Sequence, residues 1–367
     1  MTVLQKTQPG KTSHGITHIR ALRAGPVSVR YNVRVLVVSV LLALATVAAM
    51  ALHVAFGGTP MAYPDVLRAL LGDDSNTRIH LAVTEFRAPR MVAAVVVGAC
   101  LAAAGAITQT VARNPLASPD LLGVTAGASL GAVTVLVIAG GGHAGLSGLA
   151  ATVGMPAAAF TAGIASGVAV YLLSYGRGLD SYRLVLAGLG ISGLAASLTT
   201  WILTLGDVTS AAQALTWMMG SLNGKDWQTV QPMAVSAAVL LLAAMSSGRW
   251  LLLTSLGEDT AVGLGARIGV VRLVVLALAV LLASVATVTA GPVAFVALAS
   301  PRIARALTST VIPSVGVSAL VGAIFVLLAD TLSANALAAP LPVGVATAVV
   351  GAPFLIHLIL KYQRRLS

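Results

Sequence analysis

Apolar residues fill the chain in long blocks, and polar residues are confined to short breaks between them. The blocks fall at residues 35–56, 91–111, 121–140, 153–174, 184–205, 229–247, 273–290, 292–300, 311–330 and 342–360. A helix needs about 20 apolar residues to cross a hydrocarbon core of about 30 Å. The pattern therefore predicts membrane-spanning helices. The eighth block is too short to cross as a straight helix. Gly291-Pro292 separates it from the seventh, because proline breaks or kinks a helix. The reading is an all-α polytopic membrane protein of ten transmembrane helices. A single transmembrane domain occupies 35–361, between a basic tail at 1–34 and a short tail at 362–367.

Charge tests the count. With the N-terminus inside and the ten segments alternating, 17 of the 22 basic residues fall inside and 5 outside. The five are Arg68, Arg78, Arg87, Arg90 and Lys225. Merging blocks seven and eight would put the basic C-terminus outside and spoil the asymmetry. The positive-inside rule thus supports ten segments with both termini cytoplasmic.

Composition agrees. The chain is 57% hydrophobic and only 9% charged, with a mean hydropathy of +0.95. A water-facing domain carries about a quarter charged residues. Abundant glycine and scarce aromatics suit closely packed helices rather than a lipid-facing barrel. The net charge of +11 reflects loops retained in the cytoplasm, so no nucleic-acid partner is expected. An organellar transit peptide would resemble residues 1–34, which carry six basic residues and no acid; the reading taken is a cytoplasmic tail. One cysteine, Cys100, rules out a disulfide framework, and the histidines lack ligand spacing, so no metal site is expected. Glycines at four-residue spacing (Gly123, Gly127, Gly131; Gly163, Gly167) mark close helix packing, within the chain or between subunits.

Two stretches could carry function, and a third only looks as if it could. "RAPR" places Arg87 and Arg90 on the outer face around Pro89, which pushes Ala88 toward extended geometry. Water-exposed arginines there suit bidentate pairing with carboxylates of a soluble acidic partner, or headgroup anchoring. "LLLTSLGEDTAVGLGARIGVVRL", residues 251–273, is too polar to span. It reads as two short cytoplasmic helices, one capped by Thr254 or Ser255 and one following Gly265. "GSLNGKD" is a decoy: a phosphate loop needs four residues between its glycines and Ser or Thr after the lysine. No nucleotide site or HExxH is present. Charges at mid-span are almost absent; Asp330 and His357 read as end-positioned polar residues. That argues against an ion-driven carrier.

The stretches "FRAPRMVAAVVVGACLAAAGAITQTVARNPLASPDLLGVTAGASLGAV", "RLVLAGLGISGLAASLTTWIL", "WMMGSLNGKDW", "SLGEDTAVGLGA", "AGPVAFVALASPRIARAL" and "LPVGVATAVVGAPF" together resemble the FecCD-type permeases. These are the membrane subunits of ABC importers for ferric siderophores, haem and cobalamin. The resemblance implies the type II ABC importer permease fold in a bacterial cytoplasmic membrane. It also implies a permease dimer, two ATPases that bind ATP and Mg, and a substrate-binding protein outside. This chain would then be a transport subunit with no catalytic site or cofactor of its own.

Residue by residue, Arg87 and Arg90 match the outer docking arginines. Leu256, Gly257, Glu258, Asp259, Ala261, Leu264 and Gly265 match the ATPase-coupling helices, about 255–268. Ser181 and Tyr182 match the cytoplasmic gate before span five, which lines the pathway. Arg302 and Arg305 fall among cytoplasmic basic contacts. Two departures stand out. Ala334 and Asn335 occupy the region where some members carry a third docking arginine. Ser300, Pro301 and Arg302 replace the more usual Val-Pro-His, which favours a heterodimer over a homodimer. The expected cargo is a ferric siderophore; haem or cobalamin and, from another class, an ion-coupled secondary transporter are the alternatives.

Overall fold

Asn32 opens the first long helix. Its side-chain oxygen accepts the Arg34 backbone N–H at 3.0 Å, satisfying one of the unpaired donors of a helix start. A mostly apolar run, broken by Arg34, Ser39, Thr46 and His53, then carries α1 through Val33–Ala55. The computed structural model describes residues 19–24, 27–56, 61–70, 72, 76–139, 153–175, 181–335 and 341–363. The first 18 residues of the basic tail, Arg177, Arg364 and Arg365 lie outside that range. Within the tail, β1 (Ile19–Ala24) and β2 (Val27–Asn32) pair antiparallel, from Ile19 opposite Asn32 to Ala24 opposite Val27.

The helices that follow are α2 (Tyr63–Leu70), α3 (Thr77–Leu81), α4 (Ala88–Val111), α5 (Val124–Ala139), α6 (Met155–Ser174), α7 (Ser181–Leu205) and α8 (Val208–Met218). After them come α9 (Trp227–Ser246), α10 (Gly248–Ser255), α11 (Glu258–Gly263), α12 (Ile268–Ala290), α13 (Val296–Thr308), α14 (Val315–Asn335) and α15 (Val343–Gln363). Ten of them answer to the ten apolar blocks, but not as ten full spans. Among the described residues, seven helical stretches are long and apolar enough to cross a membrane: α1, the continuous 77–111, α6, α7, α9, α12 and α14. The apolar parts of α5 and α15 are shorter. The eighth block departs most. Its helix, α13, starts at Val296 rather than 292, after Phe295 takes a left-handed backbone at φ 66°, and it runs on through Arg302 and Arg305.

The centre of the bundle is α4, buried through almost its whole length. Small residues allow this. A Cβ on Gly98 would lie 2.2 Å from the Gly322 carbonyl oxygen, and one on Gly322 would meet Gly98 at the same distance. Backbones of α4 and α14 therefore touch, as small residues permit in membrane helices. The glycines of α5 serve packing within the chain: a Cβ on Gly131 would sit 2.3 Å from the Ala158 oxygen of α6. By contrast α1 and α9 turn Leu41, Leu44, Val47, Val239 and Leu242 outward, faces suited to lipid.

Pro89 does not push Ala88 into extended geometry. Ala88 is helical (φ −64°, ψ −46°), because residues Ala82–Arg87 form a π-turn in which the Ala88 N–H bonds back to Val83. The widened turn displaces the carbonyls that a proline ring would otherwise strike. The helix continues unbroken.

Candidate functional site at the two bundle ends

Alternating helices gather the predicted residues at two ends. At one end the C-terminus of α1, the N-terminus of α4 and the C-terminus of α14 meet. Arg90 donates from Nε to Asp330 Oδ2 at 2.7 Å and from Nη2 to Asp330 Oδ1 at 2.9 Å. The fork matches the carboxylate bidentately. His53 Nε2 also contacts Asp330 Oδ2, at 2.8 Å. Asp330 is 1% exposed and His53 2%, so this carboxylate is held by a guanidinium and an imidazole from two other helices.

Arg87 points inward too. It is 7% exposed, and its Nη1 donates to the Val54 oxygen at 2.7 Å and the Ala55 oxygen at 3.2 Å. These are carbonyls of the last turn of α1, which have no partner inside their own helix. Asn335 adds to the same cap, donating from Nδ2 to the Phe56 oxygen at 2.6 Å. The expectation of a water-exposed arginine pair is corrected. The Arg87 side chain is buried as a helix-end cap, and the Arg90 side chain, 21% exposed, is engaged by an internal acid. Trp227 closes this end by donating its indole N–H to the Thr84 oxygen of the π-turn at 2.8 Å.

A backbone knot lies beside it. Ser221 N–H donates to the Ala290 oxygen at 2.7 Å. Gly220 takes φ 72°, and a Cβ there would lie 2.1 Å from the Pro292 oxygen. Glycine is thus required where the α8–α9 loop crosses the α12–α13 turn.

The other end carries α10 and α11. Arg113, past the end of α4, donates from Nε and Nη2 to the Thr254 oxygen at 3.1 and 2.9 Å. One expected short helix is present as α11, with Glu258 in its first turn; the other, α10, precedes it rather than following Gly265. Thr254 and Ser255 bond back to the Leu251 and Leu252 oxygens, so neither caps α11; Gly257, at φ 108°, precedes it. After Gly265, at φ 80°, the chain passes directly into α12. Leu256, Val262 and Leu264 are exposed on this element, Leu264 by 64%, whereas Ala261 is fully buried. The side chains of Glu258, Asp259 and Ser181 lie outside the described set.

Tyr182, in the first turn of α7, is 70% exposed at this end. Arg305 is exposed and Arg302 partly buried on α13, and Arg34 donates to the Leu307 oxygen of α13 at 2.9 Å. The loop between α4 and α5 seats α7: a Cβ on Gly188 would lie 1.6 Å from the Leu121 oxygen.

Sequence reasoning missed His53, Asp330, Asn335 and Arg113 as partners. A signal existed for the first two. The predicted topology puts His53, Arg90 and Asp330 at the same membrane depth, and three ionisable groups there are costly unless paired.

The model of the FecCD transport family matches residues 41–361. The chain is 36% identical over 334 residues to the ferric enterobactin transport system permease protein FepG of Escherichia coli (strain K12), covering 90% of this chain and 98% of that protein. It is 37% identical to the iron(3+)-hydroxamate import system permease protein FhuG of Bacillus subtilis (strain 168), covering 77% and 85%. With the Fe(3+) dicitrate transport system permease protein FecD of Escherichia coli (strain K12) the identity is 36%, covering 89% and 99%. Among solved structures, the bundle is similar to an inward-facing transporter assigned to the metal-chelate type of ABC transporter. That match has a TM-score of 0.77 at 25% identity, covering 88% of this chain and 98% of that one.

Proposed function

This chain belongs to the FecCD transport family, and from that premise we propose how it works as a permease subunit of an ABC importer for a ferric siderophore. The observation that carries the cargo is the agreement of relatives. Permeases named for ferric enterobactin, ferric hydroxamate and ferric dicitrate each match across most of the chain.

The working unit we infer is two permease subunits, with a non-identical partner favoured, joined to two ATPase subunits that bind ATP and Mg. A substrate-binding protein delivers the chelate. The Arg90 end faces outward and the α10–α11 end faces the cytoplasm of a bacterial inner membrane, an orientation supported by the basic residues that cluster at the latter end.

Docking takes a restricted form. Arg90 is the cation within reach of an incoming glutamate, which would share the guanidinium with Asp330; Arg87 acts through the backbone it caps. At the other end the exposed Leu256, Val262 and Leu264 seat on the ATPase, with Arg113 holding the element to α4. Ser181 and Tyr182 gate the pathway at the start of α7, and Arg302 and Arg305 flank the ATPase. The test is uptake of iron-loaded chelate into proteoliposomes holding the assembled transporter. Uptake should require both ATP and the binding protein. ATP-independent uptake driven by an ion gradient would sink the reading.

A further inference from the structure

Beside the backbone knot, α8 turns a polar stripe toward a recess of about 720 Å³. Thr209, Gln213 and Thr216 follow helical spacing along one face of α8, and the loop after it contributes Ser221, Asn223 and Lys225. Val208 and Trp217 supply apolar wall, and Ala290 of α12 borders it. The volume suits a small chelate. Its chemistry is lopsided: among the described lining residues Lys225 is the one charged group, and no carboxylate faces it.

Lys225 is half-buried and makes no ion pair among the described residues; the neighbouring Asp226 spends its Oδ1 on capping α9, accepting Thr229 N–H at 3.0 Å and Thr229 Oγ1 at 2.6 Å. Burial lowers the Lys225 ammonium from its ordinary value, against the field of Asp226; an anion in the recess would relieve that cost. The Trp217 indole N–H, buried in the wall, has no hydrogen-bond partner among the described residues. Ammonium and amide donors beside an apolar wall match a ligand that presents anionic oxygens on an organic shell.

We propose that this recess is a subsite for the oxygen-rich anionic face of the translocated metal chelate, held by Lys225 with Gln213 and Asn223. The proposal rests on the ferric-chelate reading and on the Arg90 end facing outward. It gives the permease its own selectivity for chelate charge, separate from the binding protein's.

The experiment titrates three iron(III) complexes into the assembled transporter without its binding protein: the citrate and tris-catecholate, both anionic, and the uncharged tris-acetohydroxamate. Binding is read by tryptophan quenching. Lys225→Met should weaken both anionic complexes about tenfold and leave the uncharged one unchanged, while Lys225→Arg should retain wild-type binding. Equal binding of the anionic complexes to wild type and Lys225→Met overturns the proposal. So does a Lys225→Met defect confined to binding-protein association, which would make Lys225 a protein-docking cation. A wild-type transporter that imports no ferric chelate with ATP would instead defeat the underlying functional reading. Normal uptake with an unchanged KM in Lys225→Met would defeat the subsite alone.

Discussion

Asp330 and Arg90 meet across the α14–α4 contact through two parallel charge-assisted hydrogen bonds, 2.7 and 2.9 Å long. Because His53 shares the same carboxylate, removing Asp330 strands both partners. Losing one member of a buried ion pair costs about 3–5 kcal/mol. The partial exposure of Arg90 puts Asp330→Ala near the lower figure. Melting in detergent should drop accordingly, and adding Arg90→Met with His53→Leu should recover much of the loss. An unchanged melting point for Asp330→Ala alone would contradict the pairing.

Docking can be separated from that stability. Arg90→Glu places two acids together and should both destabilise the bundle and slow binding-protein association. The swapped pair Arg90→Asp with Asp330→Arg should restore the melting point while association stays slow at low salt, the difference shrinking as salt rises. Full recovery of association in the swapped variant would move the docking charge away from position 90.

Backbone contact sets a second test. Gly98→Val drives a branched side chain into the Gly322 carbonyl and should abolish folded protein. Gly190, on α7, has nothing within 4 Å of the point where a Cβ would sit. Gly190→Ala should therefore be neutral or stabilise the isolated chain by roughly 0.5–1 kcal/mol through helix propensity. Size-exclusion recovery after heating distinguishes the two.

At the opposite end, Arg113→Ala should free α10–α11 from α4, and Leu264→Asp should spoil the apolar seat without touching the core. Both should leave binding-protein association intact while transport per ATP hydrolysed falls several-fold. Ala261→Asp is a different experiment: Ala261 is buried, so that change should cost folding. Normal coupling in Leu264→Asp would remove this surface from the ATPase contact.

Asp226 gives a pH signature. Its hydrogen bonds with Thr229 hold the carboxyl below its ordinary value. A carboxyl depressed in the folded state contributes stability above its unfolded pKa, about 3.9, and loses it as pH falls through the folded value. Loss of an N-cap costs about 1 kcal/mol. The melting difference between wild type and Asp226→Ala should hold from pH 7 to 5 and narrow below pH 4. A difference that widens on acidification would reverse the assignment.

The helical class, most helix positions and the grouping of residues at two ends were legible in the sequence. Apolar length reports burial in lipid directly, and the positive-inside bias fixes which ends coincide. What could not be read was side-chain direction. Arg87 and Arg90 look alike in "RAPR", yet one caps α1 and the other pairs with α14, because a π-turn sets their angles. Pro89 read as a break because an ordinary α-turn before it would clash with the proline ring. The α10–α11 boundaries slipped because Thr254 and Ser255 can either cap the next helix or bond back to their own, and local sequence does not choose. Asp330 read as an ordinary helix-end polar residue, since its partners lie 240 and 277 positions away.

Each residue of an α-helix advances its side chain by about 100°, so the surplus residue in the π-turn Ala82–Arg87 puts Thr77–Leu81 out of phase with Ala88–Val111. The offset is what lets Val83 pack with Val54, Val66 and Ala69 and aims the Thr84 carbonyl at Trp227 while α4 keeps its own face on the core. Chain length here is consequently more constrained than chemistry. Replacing exposed Glu85 or Phe86 should be tolerated, but deleting either would rewind the segment into one phase and carry Val83 and Thr84 a quarter-turn or more from their partners.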